Sequence, residues 1–159
     1  MTDEPAFEQL LDDAEPGEPP ILAGLPPIAP IVATVEMERV LRDLGRDPGE
    51  AATAAPEPLL GALVLAVGTP DGPIALAEPA TEGRLSATLA RHGEGEVGRY
   101  LALADADDLD AFRARAAAAG VPLTRVESGP FGRSVLVLVR PVTGPHLIVV
   151  ERRALPSPP

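Results

Sequence analysis

A chain of 159 residues, 45% of them apolar, has the length for one domain or two small fused modules around a real core. It carries 24 acids against 13 bases for a formal charge of −11, and seven of those acids (Asp3, Glu4, Glu8, Asp12, Asp13, Glu15, Glu18) crowd residues 1–20, which hold no base. The want of a basic face, with one Tyr, three Phe and no Trp, argues against nucleic-acid binding, and zero Cys excludes disulfides, thiol catalysis and Cys-ligated metals.

Residues 1–27 are acidic and Pro-rich and read as a disordered arm. Within it Phe7, Leu10 and Leu11 stand at i, i+3, i+4, which suits either a solubilising tail or a short helix that folds onto a protein partner. No run nears the roughly 20 apolar residues that span a bilayer, and the acidic start is unlike a signal peptide. A cytoplasmic protein without membrane association is expected.

The chain becomes regular at Ile28. "IVATV" (31–35) predicts a strand, and "EMERVLRDLG" (36–45) predicts a helix whose Met37, Val40, Leu41 and Leu44 share one face. An Ala/Pro-rich loop (46–58) precedes two strands, "LLGALVLAVG" (59–68) and "IALAEP" (74–79), joined by the turn "TPDGP". Thr81 is positioned to cap a helix that runs to about Arg91. "RYLALAD" (99–105) predicts another strand, and Asp107 a cap for the helix in "DLDAFRARAAAAG". "VPLTRVES", "SVLVLVRP" and "HLIVVERR" follow as strands. Strand–helix–strand–strand–strand thus occurs in 28–79 and again in 98–153, with the 80–94 helix as linker and 154–159 as a tail. Two such modules can curl their sheets around one shared cup, a favoured place for ligands.

These segments resemble the vicinal oxygen chelate superfamily, which includes glyoxalase I, bleomycin-resistance proteins and methylmalonyl-CoA epimerase. "IALAEP", "TEGRLSATLARHGEG", "YLALADADDLDAFRARAAAAGVPL" and "VRPVTGPHLIVVE" most resemble the epimerase, over residues 28–153. The resemblance implies an α+β fold of two βαβββ modules forming a cup. It also implies a divalent metal held on four strands by two His and two Glu or Gln, able to chelate substrate oxygens. Carried onto this chain, the first-strand His falls at Pro30, the Glu or Gln at Ala75, the second-module His at Tyr100 and the final Glu at Val149. Pro, Ala and Val have no donor atom and a neutral phenol is a poor ligand, so neither a metal nor another cofactor is expected.

The remaining polar residues offer little else. His92 falls at the C-terminal end of the linker helix, where a cation complements the dipole. His146 and Val149 differ in strand parity, which would turn His146 away from the cup. Glu151 shares the parity of Val149 and is a candidate for the cup rim. Glu78, opposite in parity to Ala75, reads as a surface acid, and Asp105, Asp107, Asp108 and Asp110 read as a helix-start cluster. The expected ligand-binding residues are therefore Pro30, Ala75, Arg99, Tyr100, Val149 and Glu151. Three functions suit them. The first is metal-free, non-catalytic binding of a small organic molecule, in a homodimer as is common in the resembled family. The second is a metal-independent lyase, isomerase or cyclase that acts on an acyl-thioester or dicarbonyl, with Tyr100 and Glu151 as acid and base. The third is a structural partner of an active relative, docked through the arm.

Overall fold

Two copies of one pattern, strand–helix–strand–strand–strand, build an eight-stranded sheet. The structure is a computed structural model that describes residues 19–104, 107–138 and 145–151. The first copy holds β1 (Pro27–Ala33), α1 (Met37–Asp43), β2 (Ala55–Glu57), β3 (Ala62–Thr69) and β4 (Gly72–Pro79). After the linker helix α2 (Arg84–His92) come β5 (Gly95–Ala102), α3 (Leu109–Ala118), β6 (Glu127–Gly129), β7 (Gly132–Val137) and β8 (His146–Val150). The strand order is β2-β3-β4-β1-β5-β8-β7-β6, which reads the same from either edge when the copies are exchanged. β1/β4 and β5/β8 pair parallel, and β1/β5 pair antiparallel where the copies join. This is the expected α+β fold of two βαβββ modules.

The sheet curves until its edges approach. The Glu57 carboxylate at the end of β2 lies against the backbone of Gly129 at the end of β6, leaving a nearly closed cup. Its inner face is an apolar cluster that includes Ala29, Ile31, Ala75, Ala77, Leu136, Ile148 and Val150, closed at one side by Leu85 and Leu89 of α2. Outside, α1 packs Met37 and Leu41 on Val67 and Leu76, and α3 packs Leu109 and Phe112 beside Leu101, Leu147 and Val149. β8 is buried along its whole length because one face lines the cup and the other lies under α3. That double burial explains its unbroken apolar run.

Several expected boundaries move. A 3-10 turn, Pro20–Leu22, lies within the stretch assigned to the arm, and Leu22 is buried against the α3-side core. Residues 1–18 of the arm, with Phe7, Leu10 and Leu11, fall outside the described residues, as do Asp105 and the chain from Arg152. Thr81 does not cap α2. Ala80 and Thr81 donate their backbone N–H groups to the Gly61 carbonyl, at 2.9 and 3.2 Å, and the chain bends through residues 80–83 before α2 begins. Ser86 Oγ accepts the Gly83 N–H there at 3.0 Å. Asp108, rather than Asp107, caps α3 by accepting the Ala111 N–H at 2.7 Å, while Asp107 pairs with Arg115. Of "VPLTRVES" only Glu127 and Ser128 enter a strand, the three-residue β6, and Leu123 makes a single bridge to Val137. β1 carries Pro27 and Pro30, and its register with β5 shifts twice, as expected of a strand with missing N–H donors.

Candidate functional site

The inner face of the cup is built mostly from small and branched apolar side chains, and two polar groups, Tyr100 and Glu57, stand together on it. Tyr100 stands on β5, paired with Ile148 of β8, and is 0% exposed. Glu57 ends β2 and is 1% exposed. Its phenol neighbour lies against the carboxyl, yet neither carboxyl oxygen nor the Tyr100 hydroxyl has a hydrogen-bond partner of acceptable geometry. Burial pushes the Glu57 carboxyl up to about 7; the adjoining phenol pulls the other way, and the Glu127 carboxylate adds to the rise. Burial, and then the negative charge of Glu57, raises the Tyr100 phenol far above its ordinary value. The pair is therefore a neutral phenol beside a carboxyl poised between its two protonation states at neutral pH.

Ala75 and Tyr100 face the cup as expected, but four other candidates do not. Ala29 and Ile31 occupy the inner side of β1, which puts Pro30 on the opposite face. Val149 lies under α3 beside Leu147, while Ile148 and Val150 turn inward. Glu151 is not at the rim: Oε2 accepts the Leu109 N–H at the start of α3 at 2.7 Å, and Oε1 meets the Arg133 guanidinium at 3.2 Å. Glu78 does the same for the first module by accepting the Met37 N–H at the start of α1 at 3.1 Å. Each copy thus ends its last strand with a glutamate that satisfies an orphan helix donor. Arg99 lies outside the inner cluster, in a surface pocket of about 330 Å³ with Thr88, His92 and Glu96.

His146 is turned inward rather than away, on the side of Ile148, and meets α2. It is 2% exposed, with Nε2 2.7 Å from Thr88 Oγ1. Thr88 Oγ1 also lies 2.8 Å from the Arg84 carbonyl, to which it donates. With that proton committed, the Nε2–H tautomer is the one that donates to Thr88. Burial, followed by Arg84, holds the imidazole down at about 4, so it is neutral at pH 7.

No family model matches this chain, and no curated protein does. Solved structures do. A Streptomyces coelicolor methylmalonyl-CoA epimerase variant in complex with 2-nitronate-propionyl-CoA is 22% identical, with a TM-score of 0.60 over 85% of this chain and 100% of that one. The Mycobacterium tuberculosis methylmalonyl-CoA epimerase is 20% identical, with a TM-score of 0.61 over 89% and 93%. A hypothetical protein from Bacillus halodurans is 15% identical, with a TM-score of 0.58 over 84% and 97%.

The fold is that of the methylmalonyl-CoA epimerases. The metal implied by the resemblance does not fit the residues here. Among the described residues no three His, Cys, Asp or Glu gather where an ion could be held. The inner side supplies one carboxylate, one phenol and the His146 imidazole, the last engaged by Thr88, whereas a divalent ion asks for several hard or borderline donors converging on one point. Nor is any described helix long and apolar enough to cross a membrane.

Glu57 is the residue that sequence reasoning missed. It sits between Pro56 and Pro58 at the end of a three-residue strand, too short to show a period. Its burial arises only when the β2 and β6 edges meet.

Proposed function

We propose that the cup binds a small carbonyl compound, of the acyl-thioester or dicarbonyl type, through Tyr100 and Glu57 and without a metal. The observation that carries this reading is the adjoining pair of buried polar groups, Tyr100 and Glu57, left with no partner beyond each other in an apolar interior. Leaving such a group unsatisfied costs about 1–3 kcal/mol, so a ligand that pairs with both recovers that energy on binding. The phenol donates to a carbonyl oxygen. The carboxyl, near half-protonated at pH 7, donates or accepts according to what it meets. The acyl-thioester class is supported by the fold, because solved epimerases of this fold carry CoA ligands. A homodimer belongs to the same proposal, and light scattering on the full chain tests it.

The value near 7 also favours a catalytic reading of the site. A base with that affinity can take a proton from a carbon next to a carbonyl and return it, while Tyr100 donates to the oxygen that gains negative charge. Incubation with methylmalonyl-CoA in deuterium oxide separates the two. Catalysis predicts deuterium at the carbon between the carbonyls, read by mass spectrometry, at a rate that E57Q abolishes. Saturable binding with exchange no faster than in buffer would leave a binding protein. Absence of binding would refute both.

A further inference from the structure

One hairpin turn covers both polar groups of the cup. Phe131 sits in the turn between β6 and β7, where polar or small residues are usual. Instead of facing solvent it folds back on the inner cluster, its ring centroid 4.6 Å from that of Tyr100 at an interplanar angle of 59°. It stays half-buried, one side toward the interior and the other toward water, while Tyr100 beneath it is fully buried. Gly129, two residues earlier, lies directly against the Glu57 carboxylate, where any side chain would collide with it. At Gly132 the turn has φ +126°, a conformation that L side chains rarely adopt.

The strand that carries this turn is weakly held. β6 is three residues long, stands at the edge of the sheet order, and has β7 as its ladder partner. Short edge elements with few backbone hydrogen bonds open at low free energy compared with the sheet centre. Swinging out the turn would expose the phenol and the carboxyl together.

We propose that the β6–β7 turn is the gate of the cup, and that Phe131 is the residue that admits or excludes the ligand above Tyr100. The proposal rests on the cup being a binding site. Phe131 acts by position: its ring occupies the approach to the phenol, so its size sets how fast and how large a ligand enters.

The chain has one Tyr and no Trp, which makes Tyr100 the sole fluorophore of the gated site. Acrylamide quenching of that emission is expected to be weak in the wild-type chain and severalfold stronger in F131A, with F131L between them and far-UV circular dichroism unchanged. Equal quenching in wild type and F131A would overturn the gate. Should F131A lose the folded spectrum, F131L, which keeps apolar volume, decides: quenching equal to that of the wild type in folded F131L would overturn the gate. Stopped-flow mixing with methylmalonyl-CoA, followed by the same emission, is expected to show severalfold faster association in F131A. An unchanged association rate would refute the gate and leave the binding proposal intact. Enhanced quenching with no binding in any variant would refute the binding proposal and leave the turn as the cover of Tyr100.

Discussion

Replacing Glu57 by Gln is expected to change how stability depends on pH. Burial holds the Glu57 carboxyl at about 7, above its ordinary 4.5, so the folded chain keeps a proton that the unfolded chain releases. The stability from that preference is complete below 4.5 and is lost as pH rises through 7. At 1.36 kcal/mol for each unit, the displacement corresponds to about 3 kcal/mol. His146 acts in the opposite sense. Its imidazole is held at about 4, below 6.5, so its contribution is complete above 6.5 and is lost as pH falls through 4. That too corresponds to about 3 kcal/mol. The windows overlap between 4.5 and 6.5, where the two slopes oppose each other and the wild-type curve is expected to be nearly level. E57Q removes the falling slope, so its stability should climb with pH across the overlap. H146Q removes the rising one and should decline. Urea denaturation followed by circular dichroism, at intervals from about pH 4 to pH 8, measures all three curves. Parallel curves for E57Q and wild type would refute the reasoning, because Glu57 would then hold its proton no more tightly in the fold than out of it.

Gly129→Ala pushes a methyl group into the Glu57 carboxylate and should cost about 1–3 kcal/mol by overpacking. Combined with Glu57→Ala, it should cost less than the sum of the single changes, which a double-mutant cycle reads directly. Thr88→Val leaves the buried His146 Nε2 without a partner, and a loss of about 1–3 kcal/mol is expected in urea denaturation near neutral pH. Alkaline spectrophotometric titration of Tyr100, the only Tyr, should show no phenolate until the circular dichroism reports unfolding. Phenolate absorbance in the folded chain would contradict the buried position.

The module pattern was legible because each copy repeats the same order of periods and turns. What escaped was the facing of the strands. In β8, "LIVV" is apolar at every position, so no polar residue marks which parity points outward, and a one-residue error turns every side chain over. That places Val149 in the cup and Glu151 on its rim, whereas Val150 and Ile148 face inward and Glu151 serves the start of α3. The repeat held the missing signal. "IALAE" and "LIVVE" are equivalent strand ends, and Glu78 and Glu151 play one role in the two copies. Glu57 had no such marker. A three-residue strand between prolines carries no period, and the burial of its carboxyl depends on a contact with Gly129, 72 positions along the chain.

The most direct test is calorimetric titration of the chelator-dialysed full chain with methylmalonyl-CoA, for wild type, Y100F and E57Q. Saturable binding to the wild type is predicted, unchanged by further chelator. In Y100F, loss of the phenolic donor should weaken it up to about tenfold, the equivalent of one hydrogen bond. No binding to the wild type, or binding that appears only when a divalent ion is restored, would contradict a metal-free site built on Tyr100 and Glu57.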